Sequence, residues 1–254
     1  MTDTAPRELP LQELDEVIIR FAGDSGDGMQ LTGDQFTSIS AALGNDLATL
    51  PEFPAEIRAP QGTLAGVSAF QVRISDFAIT TPGDAPTVLV AMNPAALKAQ
   101  LHNLVQGGAV IVNTDAFNER NLEKAGYESD PLEDGTLDGY RSYPVPMSQI
   151  TKDAVAVHGV KPRDAERSKN FFALGLISWM YTRPTEPTME FISTKFRGKE
   201  LVIKANEAAF QAGYNFGETA ELSESHYEIK PAELPSGEYT NVNGNTALAW
   251  GCAA

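Results

Sequence analysis

The sequence predicts an α/β protein: a mainly parallel sheet flanked by helices. Three observations carry this expectation. Residues 87–92 (TVLVAM) and 109–113 (AVIVN) are continuous apolar runs of strand length, the pattern of strands buried on both faces. Between them, Asn93-Pro94 opens a helical spacing through Leu97, Leu101 and Leu104 that Gly107-Gly108 ends, so the order is strand, helix, strand. Upstream, the apolar run 17–21 ends in three glycines, Gly23, Gly26 and Gly28, and then enters a second helical spacing. Strand–helix repeats with apolar strands build a parallel, Rossmann-like sheet covered by helices.

In order along the chain, residues 1–15 are a polar lead-in, and 17–21 form the first strand. Met29, Phe36, Ile39, Ala42 and Leu43 recur at helical spacing, and Gly44-Asn45 supplies the stop. Residues 46–50 lead into a bend rich in proline, with Pro51, Pro54 and Pro60. Residues 67–74 alternate in their second half and read as a strand with one wetter face. After 109–113, residues 118–139 are polar, contain Gly126, Gly135 and Gly139, and read as an excursion between strands. Residues 143–147 (YPVPM) suit a short edge strand, where proline is tolerated. Phe171, Phe172, Leu174, Leu176, Trp179 and Met180 mark a strongly apolar helix. A second helix begins near Met189, and a third covers about 200–217. Residues 218–240, rich in Glu, Ser and Pro, read as a linker or a strap laid on a surface. Residues 241–254 announce a turn and a helix start.

Composition narrows the function. The 254 residues carry a formal net charge of −15, which argues against a nucleic-acid binder relying on clustered Lys and Arg. Cys252 is the sole cysteine, so the chain has neither a disulfide framework nor a thiolate set for zinc or an iron–sulfur cluster. His102, His158 and His226 are not at metal-ligand spacing and read as ordinary surface or loop residues. No apolar run reaches membrane-span length, and the N-terminus lacks the pattern of a secretory signal. The expectation is a cytoplasmic protein with no membrane and no nucleic-acid partner.

The loop Gly23-Asp24-Ser25-Gly26-Asp27-Gly28 sits between a strand and a helix, where backbone N–H groups attract anions. Its G-x-x-G-x-G spacing is not the usual dinucleotide fingerprint, and the Walker lysine is absent. Two readings stay open: phosphate contact, or a structural turn with Asp27 near the helix N-cap. Asp46 stands where an acidic ribose partner would fall, about 20 residues on. The bend 52–63 (EFPAEIRAPQGT) contributes one strong anion donor, Arg58. The alternative for Arg58 is a pair with Glu52 or Glu56 inside a rigid bend. Ser168 suits an N-cap for the apolar helix, and Lys169 suits solvent or an interdomain contact. No nucleophile–base pair or carboxylate pair can be read from the sequence, so no catalytic or metal residue is assigned.

Taken in order, GDSGDGMQLTGDQF, LPEFPAEIRAPQGTLAGVSAFQV, VLVAMNPAAL, GGAVIVN and SKNFFALGLISWMY resemble the gamma-type domain of 2-oxoacid:ferredoxin oxidoreductases. The likeness covers about residues 16–215. It is strongest to the alpha-subunit form of the 2-oxoglutarate:ferredoxin enzymes, in which this domain is fused ahead of a thiamine-enzyme pyrimidine-type domain. The stretch GNTALAWG (244–251) resembles the opening of that next domain. The resemblance thus implies a lead-in 1–15, a gamma-type domain 16–217, a linker 218–240 and a domain start 241–254. It implies oxidative decarboxylation of a 2-oxo acid with coenzyme A, giving acyl-CoA, CO2 and reduced ferredoxin. It also implies thiamine diphosphate, Mg2+ and a 4Fe–4S cluster held mainly by a partner beta subunit, in a dimer of alpha-beta heterodimers. On that likeness this domain closes over the active site and helps enclose coenzyme A, with Gly23–Gly28 and Arg58 as its contacts. The competing expectation is a non-catalytic nucleotide-binding or interface module of Rossmann-like shape.

Overall fold

The computed structural model describes residues 10–53, 66–219, 226–240 and 242–254. In chain order the elements are β1 (Leu11–Glu13), β2 (Glu16–Asp24), α1 (Met29–Ala42), β3 (Asp46–Glu52), β4 (Val67–Ser75), β5 (Val88–Ala91) and α2 (Pro94–Gln100). Then follow β6 (Ala109–Asn113), α3 (Glu119–Ala125), β7 (Arg141–Val145), α4 (Met147–Ala156), α5 (Pro162–Ala165) and α6 (Lys169–Met180). The chain continues with α7 (Glu186–Lys195), α8 (Glu200–Thr219), β8 (His226–Glu228) and α9 (Gly244–Ala253). Among the described residues six strands make the main sheet, in the order β3-β4-β2-β5-β6-β7. The pairs β2–β5, β5–β6 and β6–β7 are parallel, whereas β4 runs antiparallel to both β2 and β3. The sheet is therefore mainly parallel, as the apolar strands predict, with β4 reversed.

Alternate residues of each strand feed two cores, as the two-residue period of a pleated strand requires. Val17, Ile19, Phe21, Val72, Ile74, Val90 and Ile111 face a large core with Phe36 of α1 and most of α6. Ala22, Ala69, Leu89, Ala91, Val110 and Val112 face a smaller one with Leu97 of α2 and Phe117. This two-sided cover corrects the wetter face expected of β4. Its Gln71 is buried, and its amide donates to the carbonyls of Pro82 and Gly83, both at 2.8 Å. With its amide nitrogen paired in this way, the polar side chain can sit inside.

Under the large core, α6 and α8 pack backbone to backbone. A Cβ on Gly175 would lie 2.0 Å from the Phe210 carbonyl oxygen, and one on Gly213 would lie 2.0 Å from that of Phe172. Only glycine allows this approach, so the apolar character of α6 goes into a close helix pair.

Several elements depart from the sequence expectations. Residues 118–139 contain α3, capped by the Asn118 side chain accepting from Asn121 N at 3.1 Å. Residues 147–156 and 162–165 are helical, and 46–52 is a full edge strand. The helix after Asn93 ends at Gln100 and tightens into a 3-10 turn over 101–103. Ser168 does not cap α6; its hydroxyl donates to Asn206 Oδ1 at 2.8 Å, drawn away by the neighbouring helix. His226 is half-buried, its ring 4.4 Å from that of Trp179.

Residues 226–234 cross the amino ends of the strands. β8 pairs in parallel with β1. Asn45 Nδ2 donates to the carbonyls of Ile229 and Lys230, at 3.1 and 2.6 Å. Ala232 N donates to Gly44 O and Glu233 N to Asp76 O. Beneath this strap lies Arg183, buried, with Nη1 donating to Asn45 Oδ1 at 2.8 Å. Burial pushes its guanidinium down to about 10, while Glu228 acts in the opposite direction.

Candidate functional site

The carboxyl ends of the parallel strands form the opposite edge. From β2 the chain crosses to β3 through α1 on the large-core side. β5, on the other flank of β2, is followed by α2 on the small-core side. The crevice between the ends of β2 and β5 is thus a topological switch point, where open α/β sheets take ligands. A cleft of about 320 Å3 opens there, lined by Asp24, Asn93, Pro94, Ala95, Asn121, Lys124 and Ala125.

The glycine loop forms one side of this edge. Gly26 N and Asp27 N donate to Asp24 O at 2.7 and 2.9 Å, and Ser25 N donates to Gly66 O at 2.7 Å. Asp24 N donates to Asp27 Oδ2 at 3.1 Å. The amides of residues 24–27 are therefore spent inside the chain and do not converge on an outside anion. Asp27 does not cap α1; the cap position is Gly28, at φ 77°, with no side-chain bond. A left-handed backbone there suits glycine. Asp27 instead reaches across to Lys169, Oδ1 to Nζ 2.9 Å, with the two side chains 15% and 16% exposed. That pairing corrects the solvent or interdomain role expected of Lys169.

Asp24 turns toward the cleft, where its Oδ1 accepts from Asn93 Nδ2 at 2.8 Å. Asn93 Oδ1 in turn accepts from Ala96 N at 2.8 Å and caps α2. Lys124, on the far wall, makes no hydrogen bond or ion pair among the described residues. Asn93 and Lys124 were not singled out from sequence. Asn93-Pro94 was legible as a helix start, but its position beside the glycine loop depends on strand order.

Asp46 lies at the other end of the sheet. It pairs in register with Ser75, and its Oδ2 accepts from Ile79 N at 2.7 Å. The expected ribose partner is thus a structural carboxylate at the amino edge, because β3 begins where β2 begins. Arg58 falls within 54–65, outside the described residues. The chain on either side of that segment is placed at the carboxyl edge: Gly66 against Ser25, and Glu52 in register with Ala69. Glu52 Oε2 accepts from Arg20 Nη2 at 3.0 Å and from Gln100 Nε2 at 3.3 Å. Burial pushes the Arg20 guanidinium down, and Glu52 opposes that.

Among the described residues no group of three His, Cys, Asp or Glu side chains suits a metal ion. Nor is any helix long and apolar enough to cross a membrane.

An open, mainly parallel sheet with helices on both faces and a polar cleft at its switch point defines an α/β domain of the doubly wound kind. The family model described as pyruvate ferredoxin/flavodoxin oxidoreductase matches residues 18–216, and the chain belongs to that family. It is 58% identical over 240 residues to the 2-oxoglutarate oxidoreductase subunit KorA of Mycobacterium tuberculosis, covering 94% of this chain and 37% of the relative. It is similar in structure to the 2-oxoglutarate:ferredoxin oxidoreductase of Magnetococcus marinus, solved with 2-oxoglutarate, coenzyme A and succinyl-CoA bound. That match has a TM-score of 0.66 and 27% identity, over 87% of this chain and 34% of that one. The gamma subunit of a keto/oxoacid ferredoxin oxidoreductase from Geobacter sulfurreducens shares the fold, with a TM-score of 0.55 and 20% identity, over 79% of this chain and 98% of that one. The chain therefore spans about a third of the length of the M. tuberculosis and M. marinus relatives and matches nearly the whole of the G. sulfurreducens gamma subunit.

Proposed function

We propose that this chain is the gamma-type portion of the alpha subunit of a 2-oxoglutarate:ferredoxin oxidoreductase. The enzyme would convert 2-oxoglutarate and coenzyme A to succinyl-CoA and CO2, with electrons passed to ferredoxin. The observation that carries this reading is the 58% identity to the M. tuberculosis subunit, sustained over 94% of the chain. The M. marinus structure, solved with substrate, coenzyme A and product, adds support for the same chemistry.

In this reading the domain supplies a coenzyme A surface and no catalytic group. The Gly23–Gly28 loop contributes Asp24 to the wall of the cleft. Lys124 and Arg58 are the cations that meet phosphate, since the loop's own amides at 24–27 are engaged. The cleft holds part of coenzyme A, with the rest running along the carboxyl edge. Thiamine diphosphate with Mg2+ would supply the carbanion chemistry and a 4Fe–4S cluster the electron path. These groups are assigned mainly to a partner beta subunit, with ferredoxin as acceptor and the cytoplasm as location; the lone Cys252 of this chain does not provide a cluster's ligand set. The exposed α9, with Leu248 69% and Trp250 57% exposed, is assigned to the opening of a following domain.

The test is 2-oxo acid-dependent reduction of a viologen dye by the full-length subunit co-purified with its partner. Reduction with 2-oxoglutarate that stops when coenzyme A is omitted is expected; reduction indifferent to coenzyme A would overturn the reading. Arg58→Ala should raise the KM for coenzyme A. An unchanged KM would favour the alternative that this domain is an interface module.

A further inference from the structure

The contacts at the carboxyl edge form one continuous polar chain across the end of the sheet. Lys152 of α4 pairs with Glu166 Oε1 at 2.7 Å. Lys169 at the start of α6 lies 3.9 Å from Glu166 Oε2 and 2.9 Å from Asp27 Oδ1. The other oxygen of Asp27 holds the amide of Asp24. Asp24 is held by Asn93, and Asn93 caps α2. Helices on the two faces of the sheet are therefore joined through the glycine loop, and Lys169 is the ammonium group on which the loop rests. Its neighbour Asn170 completes the seat. That side chain is buried under Gly28, with Nδ2 2.7 Å from where a Gly28 Cβ would stand.

We propose that Lys169 is a positioning residue for coenzyme A binding: by pairing with Asp27 it holds the glycine loop, and through Asp24 and Asn93 the wall of the cleft. This rests on the coenzyme A reading above. The argument is electrostatic. Asp27 is a largely buried carboxylate, and removing its cation leaves a charge that is costly to keep desolvated. The carboxylate then turns toward water and releases Asp24 N. Asp24 loses its anchor and the cleft wall loosens, with an additional mobile negative charge facing an anionic ligand. Lys169 is beneath the loop, so it acts on ligand affinity through the loop. Such a loss removes uniform binding, which raises KM and spares kcat.

The experiment uses the full-length subunit in complex with its partner, with coenzyme A varied. Lys169→Met is expected to raise the KM for coenzyme A about tenfold, with kcat within about twofold of the parent. Lys169→Arg should restore most of the affinity. Adding Asp27→Asn to Lys169→Met should recover part of it, since the stranded charge is gone. Amide exchange over the glycine loop should quicken in Lys169→Met while the sheet strands keep their protection. Lys124→Ala, in the cleft itself, is the control. If Lys124→Ala raises the KM and Lys169→Met does not, the coenzyme A reading stands and the role of Lys169 is overturned. If neither variant moves the KM, coenzyme A does not meet this cleft and both statements fall. A raised KM in Lys169→Met with the loop amides still protected would make Lys169 a ligand contact, which also overturns the positioning role.

Discussion

At the amino ends of the strands, residues 226–234 are fastened to Gly44, Asn45 and Asp76 largely through backbone carbonyls and amides, over a buried Arg183. At the carboxyl ends the glycine loop is fastened to the helices by side chains, Asp27 to Lys169 and Asp24 to Asn93, beside a cleft whose Lys124 makes no hydrogen bond or ion pair among the described residues.

One edge is closed largely by neutral bonds to backbone carbonyls and amides, with an exposed ion pair, Lys230 to Glu13, at its margin. The other is closed by ionised and amide side chains, which a ligand or a substitution can disturb. The first suits a fixed boundary and the second a surface that meets another molecule.

Four substitutions break or sharpen this contrast. Gly175→Ala should have the largest effect, because its Cβ meets the Phe210 carbonyl between α6 and α8. A loss of about 3 kcal/mol in urea denaturation is expected, since backbone must move, with both edges loosening together. A loss confined to one edge would mean that the helix pair does not support both. Asn45→Ala should cost about 2 kcal/mol, through two lost strap bonds and a buried guanidinium left without its acceptor. Proteolysis within 226–234 should accelerate while the KM for coenzyme A holds. Gly28→Ala should cost roughly 1–2 kcal/mol, from the left-handed backbone and the crowding of Asn170. Here the pattern reverses: coenzyme A affinity falls and the strap stays protected. Trp250→Ser should change the stability of the sheet domain by less than about 0.5 kcal/mol, because α9 buries none of its residues.

Much of the sheet was legible because strand and helix signals are local. The continuous apolar runs at 87–92 and 109–113 require cover on both faces wherever they lie, and Asn93-Pro94 starts a helix by its own chemistry. The glycine loop was visible as a strand-to-helix junction for the same reason. The short helix α3 was harder to read, since its polar sequence carries little periodicity and its Asn118 cap is a weak signal among other polar residues. β4 misled because alternation reports polarity along a strand, whereas α1 and α2 decide which faces see water.

By itself, then, the sequence determined the strand–helix grammar, the two-sided burial of the central strands and the turn between β2 and α1. Tertiary structure alone decided that β4 runs backwards, that Asp46 belongs to the far edge, and that Asp27 finds Lys169. The physical reason is that strand order and ion pairs join residues distant along the chain. Such contacts form when separate elements pack, and they leave no periodic trace in either stretch of sequence.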